Sequence, residues 1–285
     1  MTAIATWKTF FKERLPLIPL LIISAGYAFT GMAIRQENLS TGHLWAMGAA
    51  TLAIVLFMGV LRLMDEIKDK DKDAIVHPDR PLPRGLVTEA GLRRLIGIGY
   101  GALLLATPLF GWWSFEAGWA WLATILWMGL MYREFFLGEW LENRPWLYAI
   151  SHQVVIPLLA LFTVSIQGPG ALREETLSFG LLALGAFFNF EICRKLQPDA
   201  DPILGTYLVN SGRLITWMAS TLLMALAAWG AWRLGLALWL WPVQIIMVLI
   251  HGLLGLAPHR YKVVEGIASV ALLAQIWAGL ILFWQ

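Results

Sequence analysis

The chain has 285 residues, of which 59% are hydrophobic and 14% are charged, and its formal net charge is +2. Soluble domains are about 45–50% apolar and about 25% charged, so this composition argues against a water-soluble fold and excludes disorder. The small net charge gives no reason to expect a nucleic-acid partner. The 16 Trp residues are typical of a protein anchored at two membrane interfaces, and the single cysteine excludes an intrachain disulfide.

Nine apolar stretches have the length of about 20 residues that a transmembrane helix needs. They cover residues 15–34, 43–63, 93–112, 115–134, 145–166, 176–193, 213–232, 234–256 and 263–284. Because the runs are continuous rather than alternating, a transmembrane barrel is excluded. We therefore predict an all-α, polytopic bundle of about nine transmembrane helices in the lipid bilayer. It forms a single domain over residues 1–285, and a short amphipathic helix lies within residues 1–14.

The basic residues predict the orientation of this bundle. With the N-terminus in the cytoplasm, only Arg35, Arg173 and Arg233 fall on the far side of the membrane. Cytoplasmic loops of membrane proteins carry an excess of Lys and Arg. We therefore expect residues 64–92 and 194–212 in the cytoplasm and the C-terminus outside.

The loop after the second predicted span, RLMDEIKDKDKDAIVHPDRPLPRG, carries three aspartates one helical turn apart, Asp65, Asp69 and Asp73. On a helix these carboxylates share one face and repel one another. A divalent cation with a preference for hard oxygen ligands, such as Mg²⁺, would relieve that repulsion. The alternative is a solvated loop in which Lys68 and Lys72 pair with the aspartates at i, i+3.

The same loop continues with two arginines, Arg80 and Arg84, in a turn stiffened by prolines and a glycine. Such a turn offers guanidinium groups to an anion. Acids for a metal followed by arginines for phosphate are the parts of a diphosphate site.

The loop after the sixth predicted span, FNFEICRKLQPDADPILGTY, repeats this combination of acids and bases. Glu191 and Lys195 are one turn apart, and Asp199 and Asp201 follow in a proline-bounded turn. The alternative is an ordinary helix end with a charged loop. Both loops fall on the same predicted side of the membrane, which allows them to face one cavity.

At these residues the sequence resembles the UbiA superfamily of intramembrane prenyltransferases. That family has nine helices, aspartate-rich motifs after the second and sixth, and a diphosphate held between the motifs through Mg²⁺. Its first motif, N-D-x-x-D-x-x-x-D followed by R-P-x-x-x-G, aligns with Asp65, Glu66, Asp69, Asp73 and the segment Arg80-Pro81-Leu82-Pro83-Arg84-Gly85. The replaced residues Asp65 and Glu66 are still oxygen ligands.

The second motif matches less well. The family has two acidic residues one turn apart, then a Gly and a Thr, and alignment on Gly205 and Thr206 places Asp199 at one acidic position and Lys195 at the other. Glu191, one turn earlier, substitutes for the missing acid. At this departure from the family's pattern, we expect Lys195 to contact diphosphate directly and to take over part of the role of a second metal. The pattern is similar to a divergent bacterial branch, so we expect a bacterial inner membrane.

The resemblance also implies the functional residues. The metal ligands would be Asp65, Glu66, Asp69, Asp73, Glu191 and Asp199. Asp69, Asp73, Asp199 and Lys195 would be catalytic. The substrate would be bound by Arg14, Arg80, Arg84, Tyr132, Arg133 and Arg194, although Arg14 is equally explained as a positive-inside anchor.

The implied activity is Mg²⁺-dependent transfer of a prenyl group from an isoprenyl diphosphate to an aromatic or other small acceptor within the membrane. One alternative is a terpene cyclase on the same scaffold, which needs no acceptor. Another is a membrane transporter or scaffold without enzymatic activity.

Overall fold

The computed structural model describes residues 3–35, 40–170 and 172–284, and every regular element in these ranges is helical. The α-helices are α1 (Ala3–Arg14), α2 (Leu17–Ile34), α3 (Thr41–Lys68), α4 (Lys70–Val76), α5 (Glu89–Trp113), α6 (Phe115–Tyr132), α7 (Gly138–Glu142), α8 (Pro145–Gln153), α9 (Val155–Ser165), α10 (Glu174–Arg194), α11 (Tyr207–Arg233), α12 (Ala237–Leu256), α13 (Tyr261–Ile276) and α14 (Gly279–Trp284). Short 3₁₀ turns lie at Glu134–Phe136, Pro202–Leu204 and Pro258–Arg260.

Eight helical segments of the described chain are long and apolar enough to cross a membrane. They are α2, α3, α5, α10, α11 and α12, together with α8 plus α9 (Pro145–Ser165) and α13 plus α14 (Tyr261–Trp284). The remaining predicted span, at residues 115–134, corresponds to the 18-residue helix α6. The all-α, polytopic prediction is confirmed, and the protein is a multi-pass integral membrane protein.

The long helices form a ring in which each packs against the next along the chain. Contacts run from α2 to α3, α5, α6, α9, α10, α11, α12 and α13 in turn, and α13 and α14 pack back against α2. The surface outside this ring carries large exposed apolar side chains, such as Leu52, Leu105 and Leu222. A contiguous apolar surface of this kind is stable in lipid and costly in water.

The two ends of the ring differ in the groups they carry. At one end, Glu174 at the start of α10 forms an ion pair with Arg233 at the end of α11. The other end holds the end of α3, the end of α10 and the loops that follow them. Both charged loops predicted to carry chemistry therefore lie at the same end of the bundle.

The predicted N-terminal helix is formed as α1 and is docked on the bundle. Its Phe10 side chain is buried, and the ring of Trp7 lies against Gly91 of α5. Such aromatic contacts hold α1 beside the end of the bundle that carries the two charged loops.

Candidate active site

The three aspartates of the first loop remain one turn apart although the helix breaks between α3 and α4. The backbone N–H of Asp69 donates to the carbonyl of Asp65 at 2.9 Å, and that of Asp73 donates to the carbonyl of Asp69 at 2.8 Å. These i to i−4 bonds continue the helical spacing through the break. The spacing that predicts a shared carboxylate face is thus retained.

Asp65 and Asp69 form no ion pair within 4 Å with any residue that the structure describes. Asp69 is exposed, but partial desolvation of its carboxylate and the neighbouring carboxylate of Asp73 raise its pKa, and Lys68 and Lys195 partly oppose this. A carboxylate that is repelled by a neighbour and unpaired is available to a cation. The ion pairs of the solvated-loop alternative are not formed, because Lys68 and Lys72 bind Glu134 and Glu142 instead.

Asp73 is buried and bound by the guanidinium group of Arg80. The turn that carries Arg80 is closed by a bond from the N–H of Leu86 to the carbonyl of Pro81, at 2.9 Å. Gly85 in this turn has a φ of +74°, a left-handed conformation that favours glycine. The turn therefore places one predicted anion-binding arginine within the first loop.

Glu66 is buried and neutralised by two arginines. Its Oε1 lies 2.5 Å from Arg14 and 3.2 Å from Arg62, while its Oε2 has no hydrogen-bond partner. The predicted metal ligand Glu66 and the predicted substrate contact Arg14 are thus joined to each other. The pair also fixes the end of α1 to α3.

The remaining predicted arginines of the substrate site lie at its edges. Arg84 binds Glu13 of α1 at 2.8 Å, and this bond raises the pKa of Arg84. Arg133 is exposed and stacks on the ring of Phe136, and the hydroxyl of Tyr132 lies 3.4 Å from Arg93. Tyr132 and Arg133 line a shallow, open cavity of about 390 Å³ that is completed by Glu134, Phe136 and Gly138.

The second loop carries a compact cluster of charges at the end of α10. Glu191 binds both Arg194 and Lys195, and its Oε1 lies 2.7 Å from the ammonium of Lys195. That ammonium also lies 5.7 Å from the centre of the Tyr207 ring. Asp199 lies further along the loop and is exposed.

The two loops are close enough for their charges to interact. Asp65 of the first loop interacts with Glu191 and Arg194 of the second, and Asp69 interacts with Lys195. The structure therefore brings together five of the predicted site residues at one end of the bundle. Arg14, Glu66 and Arg84 lie on the side of α1, and Asp199 lies in the exposed part of the loop.

Sequence reasoning misses Lys68, whose ammonium donates to the carbonyl of Met131 at 3.2 Å and to the hydroxyl of Tyr148 at 2.9 Å. The sequence interpretation treats Lys68 as an ordinary loop lysine. The signal in the sequence was the position of Lys68 in the last turn of an apolar helix. An ammonium at such a position is partly buried, so it needs several hydrogen-bond acceptors from the protein.

Within the described residues, no group of three His, Cys, Asp or Glu side chains is arranged to hold a metal ion by itself. Mg²⁺ in proteins is usually bound by one or two carboxylates, with water and substrate phosphate oxygens completing the shell. The unpaired carboxylates of Asp65 and Asp69 are hard oxygen donors of this kind. The donor set therefore fits Mg²⁺ bound together with a phosphate group.

The fold and this arrangement define the class of protein: a helical membrane protein with an acidic, lysine-flanked site at one end of its bundle. No family model matches the chain. It is 27% identical, over 93% of its length and 94% of the relative's length, to a digeranylgeranylglyceryl phosphate synthase of Methanospirillum hungatei JF-1. The solved apo structure of a UbiA homolog from Aeropyrum pernix K1 matches with a TM-score of 0.65 and 16% identity, over 93% of this chain and 98% of that one.

These similarities extend over nearly the whole chain, in sequence for the first protein and in fold for the second. The predicted resemblance to the UbiA superfamily is confirmed at this level: the chain has the fold of a UbiA homolog, and its sequence is similar to that of a synthase.

Proposed function

We propose that the chain transfers a prenyl group from an isoprenyl diphosphate to a small acceptor in the membrane, in a reaction that depends on Mg²⁺. The observation that carries this proposal is the meeting of two unpaired carboxylates, Asp65 and Asp69, with the basic cluster of the second loop. Carboxylates alone would repel a diphosphate. Carboxylates that hold a cation beside a lysine and an arginine attract one.

In this proposal Asp65 and Asp69 hold the metal ion, which supplies positive charge to the diphosphate when it is bound. Arg194 and Lys195 neutralise the remaining phosphate oxygens from the second loop. Diphosphate also competes with Asp73 for Arg80, which releases Asp73 as a further ligand. Glu191 keeps the two basic side chains of its loop in place through its ion pairs.

These cations stabilise the charge that develops on the leaving group as the allylic C–O bond breaks. The acceptor then captures the prenyl cation, and a proton leaves the acceptor. The apolar interior of the bundle excludes water from this step. Glu66, Asp199, Arg14, Arg84, Tyr132 and Arg133 remain predicted site residues at the margin of this arrangement.

The experiment is mass spectrometry of products formed by the purified protein with Mg²⁺, a panel of prenyl diphosphates and a panel of acceptors. Because the relative is named for a digeranylgeranylglyceryl phosphate, the acceptor panel includes a glyceryl phosphate beside aromatic compounds. Prenylated acceptor is expected. A cyclised hydrocarbon formed without acceptor would instead select the cyclase, and the absence of any diphosphate release would contradict the enzyme.

The variants D69N and D73N should each lower diphosphate release by about 100-fold or more, the scale of losing a group that stabilises developing charge. Asp71 lies between them in sequence and is exposed, so D71N is the matched control. Activity retained in both D69N and D73N would remove the first loop from the mechanism.

We further propose that the N-terminus and the site lie on the cytoplasmic side of a bacterial inner membrane. The support for this orientation is the distribution of Lys and Arg along the chain.

A further inference from the structure

The ammonium of Lys68 is surrounded by four groups, which come from the end of α6, the 3₁₀ turn that follows it and α8. Its side chain is only 14% exposed. The carbonyl of Met131 at the end of α6 lies at 3.2 Å, and the hydroxyl of Tyr148 on α8 lies at 2.9 Å. The Nε2 atom of His152 lies at 3.4 Å, and the Oε1 atom of Glu134 lies at 3.5 Å. An ammonium has three N–H donors, so these neighbours leave none for a substrate.

The His152 ring of this cluster is oriented by contacts with Tyr148 that do not involve Lys68. The Nδ1 atom of His152 lies 2.7 Å from the carbonyl oxygen of Tyr148. A carbonyl can only accept, so Nδ1 carries the hydrogen and the lone pair of Nε2 faces Lys68. The imidazole also stacks on the Tyr148 ring, with the ring centres 4.1 Å apart.

A strained turn completes the cluster. Glu134, Phe135 and Phe136 have φ values of 48°, 55° and 59°, which is rare for residues other than glycine. Such a conformation persists where the surrounding contacts impose it. Here the turn directs Glu134 to Lys68 and places the Phe135 ring 5.7 Å from the His152 ring and 5.4 Å from the Trp127 ring.

Lys68 lies in the chain between Asp65 and Asp69, so a contact that fixes its ammonium also fixes the turn that carries both carboxylates. We propose that Lys68 is a positioning residue that holds Asp65 and Asp69 in the geometry that binds the metal and diphosphate, through its bonds to Tyr148, His152 and Glu134. This inference rests on the proposed function of the same site, and it assigns the lysine no contact with substrate.

The test measures binding of Mn²⁺ alone to the detergent-solubilised protein by electron paramagnetic resonance. Loss of a group that orients a metal ligand typically weakens binding by about 10- to 100-fold, so K68M should bind Mn²⁺ at least about tenfold more weakly. If Lys68 acted only through its charge, K68M would bind the cation more tightly, because a repelling ammonium is removed. Mn²⁺ affinity that is unchanged or higher in K68M overturns the inference.

Two further variants separate position from charge. Lys72 also interacts with Asp69 but is exposed and bound to Glu142, so K72M removes a nearby charge without releasing the turn and should not weaken Mn²⁺ binding. Y148F keeps the charge of Lys68 and removes one of its acceptors, so it should weaken Mn²⁺ binding in the same direction as K68M. Y148F decides the question if K68M fails to fold.

A thiol probe makes this inference separable from the proposed function. The native Cys193 is buried, so a cysteine introduced as D69C is the accessible thiol. Its alkylation rate should rise severalfold when K68M is added and stay the same when K72M is added. Absence of prenyl transfer by the wild-type protein would contradict the proposed function, whereas an unchanged alkylation rate would overturn the role of Lys68 whatever the activity.

Discussion

At the scale of single residues, the site is set by which charges are paired and which are not. Asp73, Glu66 and Glu191 are each bound by one or more cationic side chains, while Asp65 and Asp69 form no ion pair in the described chain. An arginine or lysine partner neutralises part of the charge of a carboxylate, whereas an unpaired carboxylate keeps its full attraction for a metal ion. Asp65 and Asp69 are therefore the carboxylates available to a metal ion, and the paired carboxylates hold the surrounding cationic side chains in place.

Lys195 is the residue at which the second loop departs from the motif of the family that the sequence resembles. K195A should weaken binding of a prenyl diphosphate by about tenfold or more, since a charge-assisted hydrogen bond contributes about 1.5–3 kcal/mol. The measurement is a binding titration across Mg²⁺ concentrations. Lys262 is also paired with an acid, Glu265, at 2.8 Å but is exposed, so K262A is the control. Equal affinity of wild type and K195A at every Mg²⁺ concentration would exclude direct contact.

The raised pKa of Asp69 predicts a pH-dependent effect on stability. In the folded protein, partial desolvation and the neighbouring Asp73 disfavour the ionised carboxylate, although solvent screens both effects because Asp69 is exposed. Ionisation therefore costs free energy above the folded-state pKa, and this cost is relieved as the pH falls through that pKa toward the ordinary value of about 3.9.

D69N removes the same charge at neutral pH. Its melting temperature in detergent without metal should exceed that of the wild type at pH 7, and the difference should shrink as the pH approaches about 4. D71N serves as the control, because Asp71 is also exposed and lies two residues away. A lower melting temperature for D69N at pH 7 would show that the carboxylate is not destabilising.

At the scale of helices, the site is assembled by where α3 and α10 end. Each carries its acidic residues in or just after its last turn, so both groups of acids lie at the same end of the bundle. Helix α1 is fixed beside them through the pair of Arg14 with Glu66 and the pair of Glu13 with Arg84. The direction in which these helices cross the membrane decides which compartment contains the site.

Cysteine labelling tests that direction. Ile75 in α4 and Leu172 in the loop before α10 are both exposed, and the native Cys193 is buried. L172C should react with a membrane-impermeant reagent in intact cells, and I75C should react only after permeabilisation. Because the two positions lie at opposite ends of the bundle, labelling of I75C from outside would place the site on the other side of the membrane.

At the scale of the whole molecule, the ring closes where α13 and α14 return to α2. The N–H of Gly279 donates to Oγ1 of Thr30 at 2.9 Å, and that hydroxyl donates to the carbonyl of Ile276 at 2.7 Å. A Cβ at position 279 would lie 2.6 Å from Cα of Thr30. Small residues permit such close approach of helices in a membrane.

The variant G279A should therefore lower stability by about 1–3 kcal/mol, the usual cost of overpacking. Thermal unfolding in detergent measures the loss. Gly255 on α12 has no atom within 4 Å of an added Cβ, so G255A is the matched control. Equal melting temperatures for the two variants would show that the contact between α2 and α14 does not limit stability.

The sequence by itself determined the class of fold and predicted which two loops carry the candidate site. Continuous apolar stretches determine membrane helices, because in lipid a single segment satisfies its backbone hydrogen bonds internally only as a helix. The spacing of Asp65, Asp69 and Asp73 determines their shared face because helical periodicity is local, and it persists across the break between α3 and α4. The ion pair of Glu191 with Lys195, one turn apart, is set in the same local way.

Only the tertiary structure decided which of these charges are free. Glu66 is bound by Arg14, which is 52 residues away in the chain. Lys68 contacts Tyr148 and His152, which are 80 and 84 residues away. An ion pair depends on the distance between two side chains in space, and sequence spacing constrains that distance only within one element. The packing of the bundle sets the distances between side chains on different helices, so it decides which of them form pairs.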